Sequence, residues 1–155
     1  MILADYAGRS YDISAFSGGS PSGDVLLIPE LASEGAGGEI CTGAAKLAQR
    51  FLIELLTEAG SLRYQPERGT YFLSTLQSGR ARNETDVFTA FALAVGRVER
   101  MFASIERTTD PADERFERAE LTLLTFRPDG LRLTISLTSR AGATRPVILP
   151  IPIVA

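Results

Sequence analysis

A lone cysteine, one run of acids and two pairs of arginines are the residues here whose types and spacing could do chemistry. The chain has no histidine and a single cysteine. That removes the commonest general base, the Ser-His-Asp triad and the usual zinc ligands. With no histidine to activate it, Cys41 reads as a small buried or half-buried residue and not as a thiol nucleophile. Gly38 and Gly43 imitate the glycines of a phosphate-binding loop, but Ala44 and Ala45 stand where Lys and Ser/Thr must hold phosphate and magnesium. Asp110, Asp113, Glu114, Glu117 and Glu120 offer in principle a carboxylate pair for glycoside hydrolysis. Their alternation with Arg115 and Arg118 favours a solvated turn. Arg63 and Arg68, and Arg80 and Arg82, lie beside Tyr64 and Tyr71. No long basic stripe develops, which favours polar contacts to protein over nucleic acid. The expectation is a protein that is not an enzyme and takes no cofactor, metal or small-molecule substrate.

The elements that must position these residues are those of one ordinary domain. The chain has 155 residues, 45% of them hydrophobic and 23% charged, with a net charge of −3. These are globular values, and the charge gives no electrostatic case for nucleic acid or an anionic membrane. No apolar run approaches the roughly 18 residues that cross a bilayer, and MILADYAGRS lacks the order of a signal peptide. One cysteine permits no internal disulfide, which suits a reducing cytoplasm. Of 16 basic residues only Lys46 is lysine. Base composition of the genome accounts for this most simply, although Arg also suits protein interfaces.

Residues 1–42 are rich in Gly and Ser and read as an arm, with one short strand in Tyr11–Phe16. The domain follows over 43–155. Leu47, Phe51 and Leu55, with Ala48, Leu52 and Leu56, recur at helical spacing, predicting an amphipathic helix from Gly43 to Ala59 stopped by Gly60. Lys46, Arg50, Glu54 and Glu58 fall on its other face, where Arg50 and Glu54 can pair. Thr70 caps a short helix over Tyr71–Gln77. A long helix over Glu84–Arg107 has Asn83 at its cap and a seam of Phe88, Phe91, Val95, Val98, Phe102 and Ile105 that packs along the first helix or, as the alternative, along a helix of a partner subunit. Arg97, Glu99, Arg100 and Glu106 keep its far face wet. Asp110 at a cap and Pro111 after it predict one helical turn. Period-two runs over Ala119–Phe126 and Leu131–Ser139, joined through Asp129-Gly130, predict a β-hairpin, with Leu131, Leu133, Ile135 and Leu137 facing inward. The fold class is α+β, helices on one side of a small antiparallel sheet.

The last strand, Arg145–Val154, carries Pro146, Pro150 and Pro152 at even positions. Their missing N–H groups fall along one side, so the strand belongs at a sheet edge. The prolines either block aggregation or mark an apolar strand that a partner clasps.

The stretch Cys41–Thr70, with Lys46-Leu47, Gln49-Arg50-Phe51, Leu55-Leu56-Thr57 and Gly60-Ser61, then Pro66 and Gly69-Thr70, then a long helix and a closing hairpin, resembles the tail-sheath initiator family. These are W-like baseplate wedge proteins of contractile phage tails, with relatives in type VI secretion. The resemblance implies a structural component of the virion's tail baseplate, assembled in the host cytoplasm. Its partners would be the sheath protein, other wedge proteins and tube or hub proteins. Leu121, Leu123, Leu133, Ile135 and Leu137 of the hairpin, and Val147, Leu149, Ile151 and Ile153 of the tail, would face the sheath. The family's Glu-Pro-Arg triplet finds its nearest counterpart in Asp110, Pro111 and Arg115, which would touch wedge partners, though the spacing differs. A reading from another class is a lysozyme-like hydrolase working through the acidic run. A third is a protein-binding domain unrelated to tails.

Overall fold

The computed structural model describes residues 10, 12–13, 25–26 and 40–152. Three helices lie on one face of a sheet, so the α+β class read from the sequence is the one observed. A two-residue strand β1 (Asp12–Ile13) pairs antiparallel with β3 (Ile40–Cys41). Then come α1 (Gly43–Leu56), α2 (Phe72–Gln77), α3 (Glu84–Ile105), a single 3-10 turn (Ala112–Glu114), and the strands β4 (Phe116–Arg127), β5 (Gly130–Ser139) and β6 (Thr144–Pro152). The strand order is β2-β6-β5-β4, where β2 (Val25–Leu26) runs parallel to β6 and the other pairings are antiparallel.

The core forms where the apolar stripe of each helix meets the inward residues of β5 and β6. Phe51, Leu52 and Leu55 of α1, Val87, Val98 and Phe102 of α3, and Leu133, Ile135 and Val147 of the sheet are all buried. Phe116, at the start of β4, stacks on Phe51 at 5.9 Å and meets Phe102 edge-on at 5.6 Å. Both ring geometries are favourable ones, and they join the sheet to both long helices.

Helix α1 ends three residues earlier than its periodicity suggested, at Leu56. Thr57 takes an extended conformation (ψ 127°) and its hydroxyl turns back to the carbonyl of Ile53. Helix α3 ends two residues early, at Ile105. Helix α1 is too short to cover the whole of the α3 seam. Helix α1 has 14 residues against 22 in α3, roughly 21 Å against 33 Å. Phe88 and Ile105, at the two ends of the seam, therefore stay 42% and 52% exposed.

The far face of α1 corrects the sequence reading. Arg50 does not pair with Glu54. It forms an ion pair with Glu106 at 3.6 Å and lies over the Phe102 ring at 4.7 Å. Glu54 is only 2% exposed and pairs with Arg68, because the connector folds back over that face. Arg97 and Glu106 are likewise taken from the wet face of α3: Arg97 holds the connector, and Glu106 accepts from the Phe116 N–H. The turn after α3 begins one residue later than expected, with Pro111 at its cap, while Asp110 accepts from the Arg107 N–H at 2.8 Å. Thr70 keeps a capping part: its hydroxyl accepts from Phe72 N–H at 3.1 Å and donates to the Leu55 carbonyl at 2.7 Å.

Candidate docking surfaces

The acidic run, which the sequence offered as a carboxylate pair, is engaged in hydrogen bonds and ion pairs at Asp110, Glu114, Glu117 and Glu120. Glu114 is 2% exposed. Its carboxylate accepts from Ser10 and Thr42 hydroxyls, from the Gly43 N–H at 3.3 Å and from the Lys46 ammonium at 3.2 Å. Burial alone would raise its pKa, but these donors outweigh burial and hold it below the ordinary carboxylate value. A carboxylate so held is a poor general acid. Glu117 pairs with Arg140, Glu120 lies against Arg118, and Asp110 closes its own turn. Among the described residues Glu106 is the one acid shifted upward. Burial is the main cause, opposed by the Phe116 N–H and by Arg50. Burial also raises the Cys41 thiol, with the charge of Asp12 adding to it. Among the described residues no group of His, Cys, Asp and Glu could hold a metal, and no helix is long and apolar enough to cross a membrane.

The strand edges offer a different kind of site. Prolines 146, 150 and 152 donate nothing, so β6 must bond to β5 through its odd residues Val147, Leu149 and Ile151. Their partners Ile135, Leu133 and Leu131 face them, which turns the even residues of β5 toward β4. The register then fixes which way β4 points. Leu123, Thr125 and Arg127 stand opposite Thr134, Arg132 and Gly130 and bond inward, as do Arg118 and Glu120 opposite Thr138 and Ser136. Ala119, Leu121, Leu124 and Phe126 are left with donors and acceptors directed outward, on a strand with no proline. No described strand pairs with that edge.

The two edges of the sheet thus differ. On the outer side of β6 the stretch from Pro146 to Pro152 keeps one donor, that of Ile148. Strand β2 pairs there, with Leu26 opposite Ile148. The last strand was expected at an edge; it is the edge of the antiparallel part, and β2 covers two of its residues. The edge rich in free donors is β4. Register shifts between Phe116 and Arg118 and between Leu121 and Leu123 break it into short pieces, a device that limits indiscriminate pairing.

The residues expected to face a sheath are distributed accordingly. Leu133, Ile135, Leu137, Val147, Leu149 and Ile151 are at most 4% exposed and pack in the chain's own core. Their side chains are not available to a partner, which corrects the direct-contact reading for these six. Inward alternation of β5 and β6 toward the helices is the physical reason. Leu121 is half-buried, and Leu123 is 58% exposed on the opposite face of the sheet. Ile153 lies outside the described residues. Asp110, Pro111 and Arg115 adjoin the turn before β4. Pro111 and Arg115 give their carbonyls to Glu114 N–H and Arg140 N–H, so the main chain of both is already engaged.

A second surface carries Arg63, Arg68 and Tyr64, the basic and aromatic cluster that the sequence marked for polar contacts to protein, on an ordered loop that the sequence did not forecast. The connector after α1 closes at a neck where Thr70 N–H donates to the Thr57 carbonyl at 2.8 Å and Ala59 N–H to the Thr70 carbonyl at 2.9 Å. Gly69 passes the neck with φ +84°, and an added Cβ would meet the Thr57 carbonyl. The tip presents Tyr64, 87% exposed, with Arg63 over its ring at 5.6 Å. Periodicity stops at Gly60, so nothing in the pattern of letters forecast an ordered loop.

Comparison with protein-family models, with characterised proteins and with solved structures returned no match.

Proposed function

We propose that the chain is a structural assembly protein that docks an extended segment of a partner on the outer edge of β4. The observation that carries this reading is the contrast of the edges: three prolines leave β6 a single outward donor, while β4, free of proline, turns those of Ala119, Leu121, Leu124 and Phe126 outward. Side chains of Ala119, Leu121 and Leu124 pack against the core from this strand, and Phe126 is 49% exposed. An added strand with apolar residues at alternate positions would extend the same layer, its main chain supplying affinity and its side chains register. Together with the sequence resemblance, this supports a tail-sheath initiator of a contractile baseplate, with the sheath subunit as the strand donor. Main-chain pairing suits such a platform, because it holds while rigid bodies rotate around it.

The test is co-purification with the sheath protein encoded in the same genome. Ala119→Pro and Phe126→Pro remove outward donors only, so they are expected to abolish binding in a folded protein. Retained binding by both would exclude the β4 edge as the dock. Absence of binding by the unaltered chain, with both proteins folded, would exclude the sheath as partner.

A further inference from the structure

The face of the sheet turned away from the helices carries a feature that strand addition does not use. Register places Thr125, Arg132 and Pro150 in one row across this face, and Arg127, Gly130 and Pro152 in the next. Arg127 and Arg132 are therefore diagonal neighbours, close enough for long side chains to converge. With Asp129, Pro150 and Pro152 they line a notch of about 280 Å³ at the hairpin end.

Charge makes the notch specific. From Phe116 to Pro152 the sequence holds five arginines against three acids, in a chain whose net charge is −3. Two of the five are answered within the sheet, Arg118 by Glu120 and Arg140 by Glu117. Arg127 and Arg132 have no carboxylate partner among the described residues, although Asp129 shares their rim. Guanidinium forks bind carboxylates in bidentate fashion, and proline rings offer an apolar floor to the methylenes of a glutamate.

We propose that this notch binds a carboxylate-bearing extended segment of a protein partner through Arg127 and Arg132. A polynucleotide is a poorer occupant. It needs many phosphate contacts along a basic track, whereas the notch supplies two cations on an acidic protein. The inference is independent of the sheath reading, since it concerns a face of the sheet and not an edge.

The experiment uses the full-length chain and capped, fluorescently labelled hexaglutamate, with hexaglutamine and oligothymidylate of equal charge as competitors. Anisotropy gives affinity and amide shifts give the site. Hexaglutamate is expected to bind at low salt and to shift Gly130–Arg132 and Ile148–Ile151. Arg127→Ala and Arg132→Ala are each expected to weaken it by about tenfold, while Arg140→Ala, already ion-paired, changes it little. Should Arg132→Ala fail to fold, Arg132→Gln keeps the side-chain stem and carries the same test. No binding, equal binding of hexaglutamine, an equal loss in Arg140→Ala, or displacement from the notch by oligothymidylate would each overturn the proposal.

Discussion

The Arg97 guanidinium of α3 donates to the Gly69 carbonyl at 3.1 Å, and a second nitrogen reaches the Glu67 carbonyl at 3.2 Å. One side chain of the longest helix thereby holds the neck of a loop that belongs to another helix. The same guanidinium lies 5.3 Å from the centre of the Tyr71 ring. Truncation of Arg97 to Ala is expected to cost about 1–3 kcal/mol. It should also speed trypsin cleavage after Arg63 and Arg68, read by gel against thermal denaturation. Arg97→Lys should restore little, because a single ammonium does not span two carbonyls.

Gly69→Ala tests the same neck from the backbone. Both the positive φ and the Thr57 carbonyl oppose a side chain there. The expected loss is about 1–3 kcal/mol, whereas Gly142→Ala, also at positive φ but with open space around it, should lose less. Equal melting temperatures for the two variants would show that the neck is slack.

Glu114 and Glu106 make stability depend on pH in opposite senses. Glu114 has a folded pKa below its ordinary 4.5, so its contribution is complete above that value and is lost as pH falls through the lower folded one. Glu106 has a folded pKa above 4.5; its ionised form weakens the fold at neutral pH, and that penalty is relieved as pH falls through the raised value toward 4.5. Stability read by urea unfolding across pH 3–7 is therefore expected to fall less steeply with acidification above pH 4.5 in the native chain than in Glu106→Gln. In Glu114→Gln stability should be lower by about 1–3 kcal/mol at pH 7 and fall less on acidification.

A chain ending at Ala143 is expected to lose its cooperative fold. It lacks Val147, Leu149 and Ile151, all buried, and uncovers Leu131, Leu133 and Ile135 opposite them. Each of the three removed side chains stabilises by about 1.5–3 kcal/mol, an amount that together approaches the net stability of an ordinary domain. A sharp thermal transition by circular dichroism in the shortened chain would contradict the packing.

Thr125→Pro and Phe126→Pro should behave differently although they are neighbours. Thr125 bonds inward across from Arg132, so its loss should cost about 1–3 kcal/mol. The Phe126 donor points outward, and its replacement should leave the melting temperature within a few degrees. Equal destabilisation would mean that the bonding phase of β4 is shifted by one residue.

Much of this architecture was legible because its signals are local. Leu131, Leu133, Ile135 and Leu137 alternate with polar residues, Asp129-Gly130 marks the turn, and the stripe of α1 repeats at helical spacing. Each follows from a geometry spanning a few residues. What escaped depends on distant contacts. Glu54 looked wet because its partner Arg68 lies on a connector whose course periodicity does not encode. Glu114 looked like part of a solvated run because Ser10, Thr42 and Lys46 reach it from the other end of the chain. Of the six core residues assigned to a partner, Leu133, Ile135 and Leu137 were read as facing inward, whereas Val147, Leu149 and Ile151 were read only as a strand for a partner to clasp and are buried too. The inward face is filled by the chain's own helices. The better guide to an open edge was present in the letters: three prolines in β6 and none in β4.

That asymmetry also sets a valency. Growth of a sheet from molecule to molecule needs a receptive edge on each side of every unit. Here β4 turns the donors of Ala119, Leu121, Leu124 and Phe126 outward, while on the other side β6 retains a single outward donor between its prolines, already opposite β2. Under the docking proposed above, β6 therefore gives a second copy of the chain no donor-rich edge from which to continue the sheet.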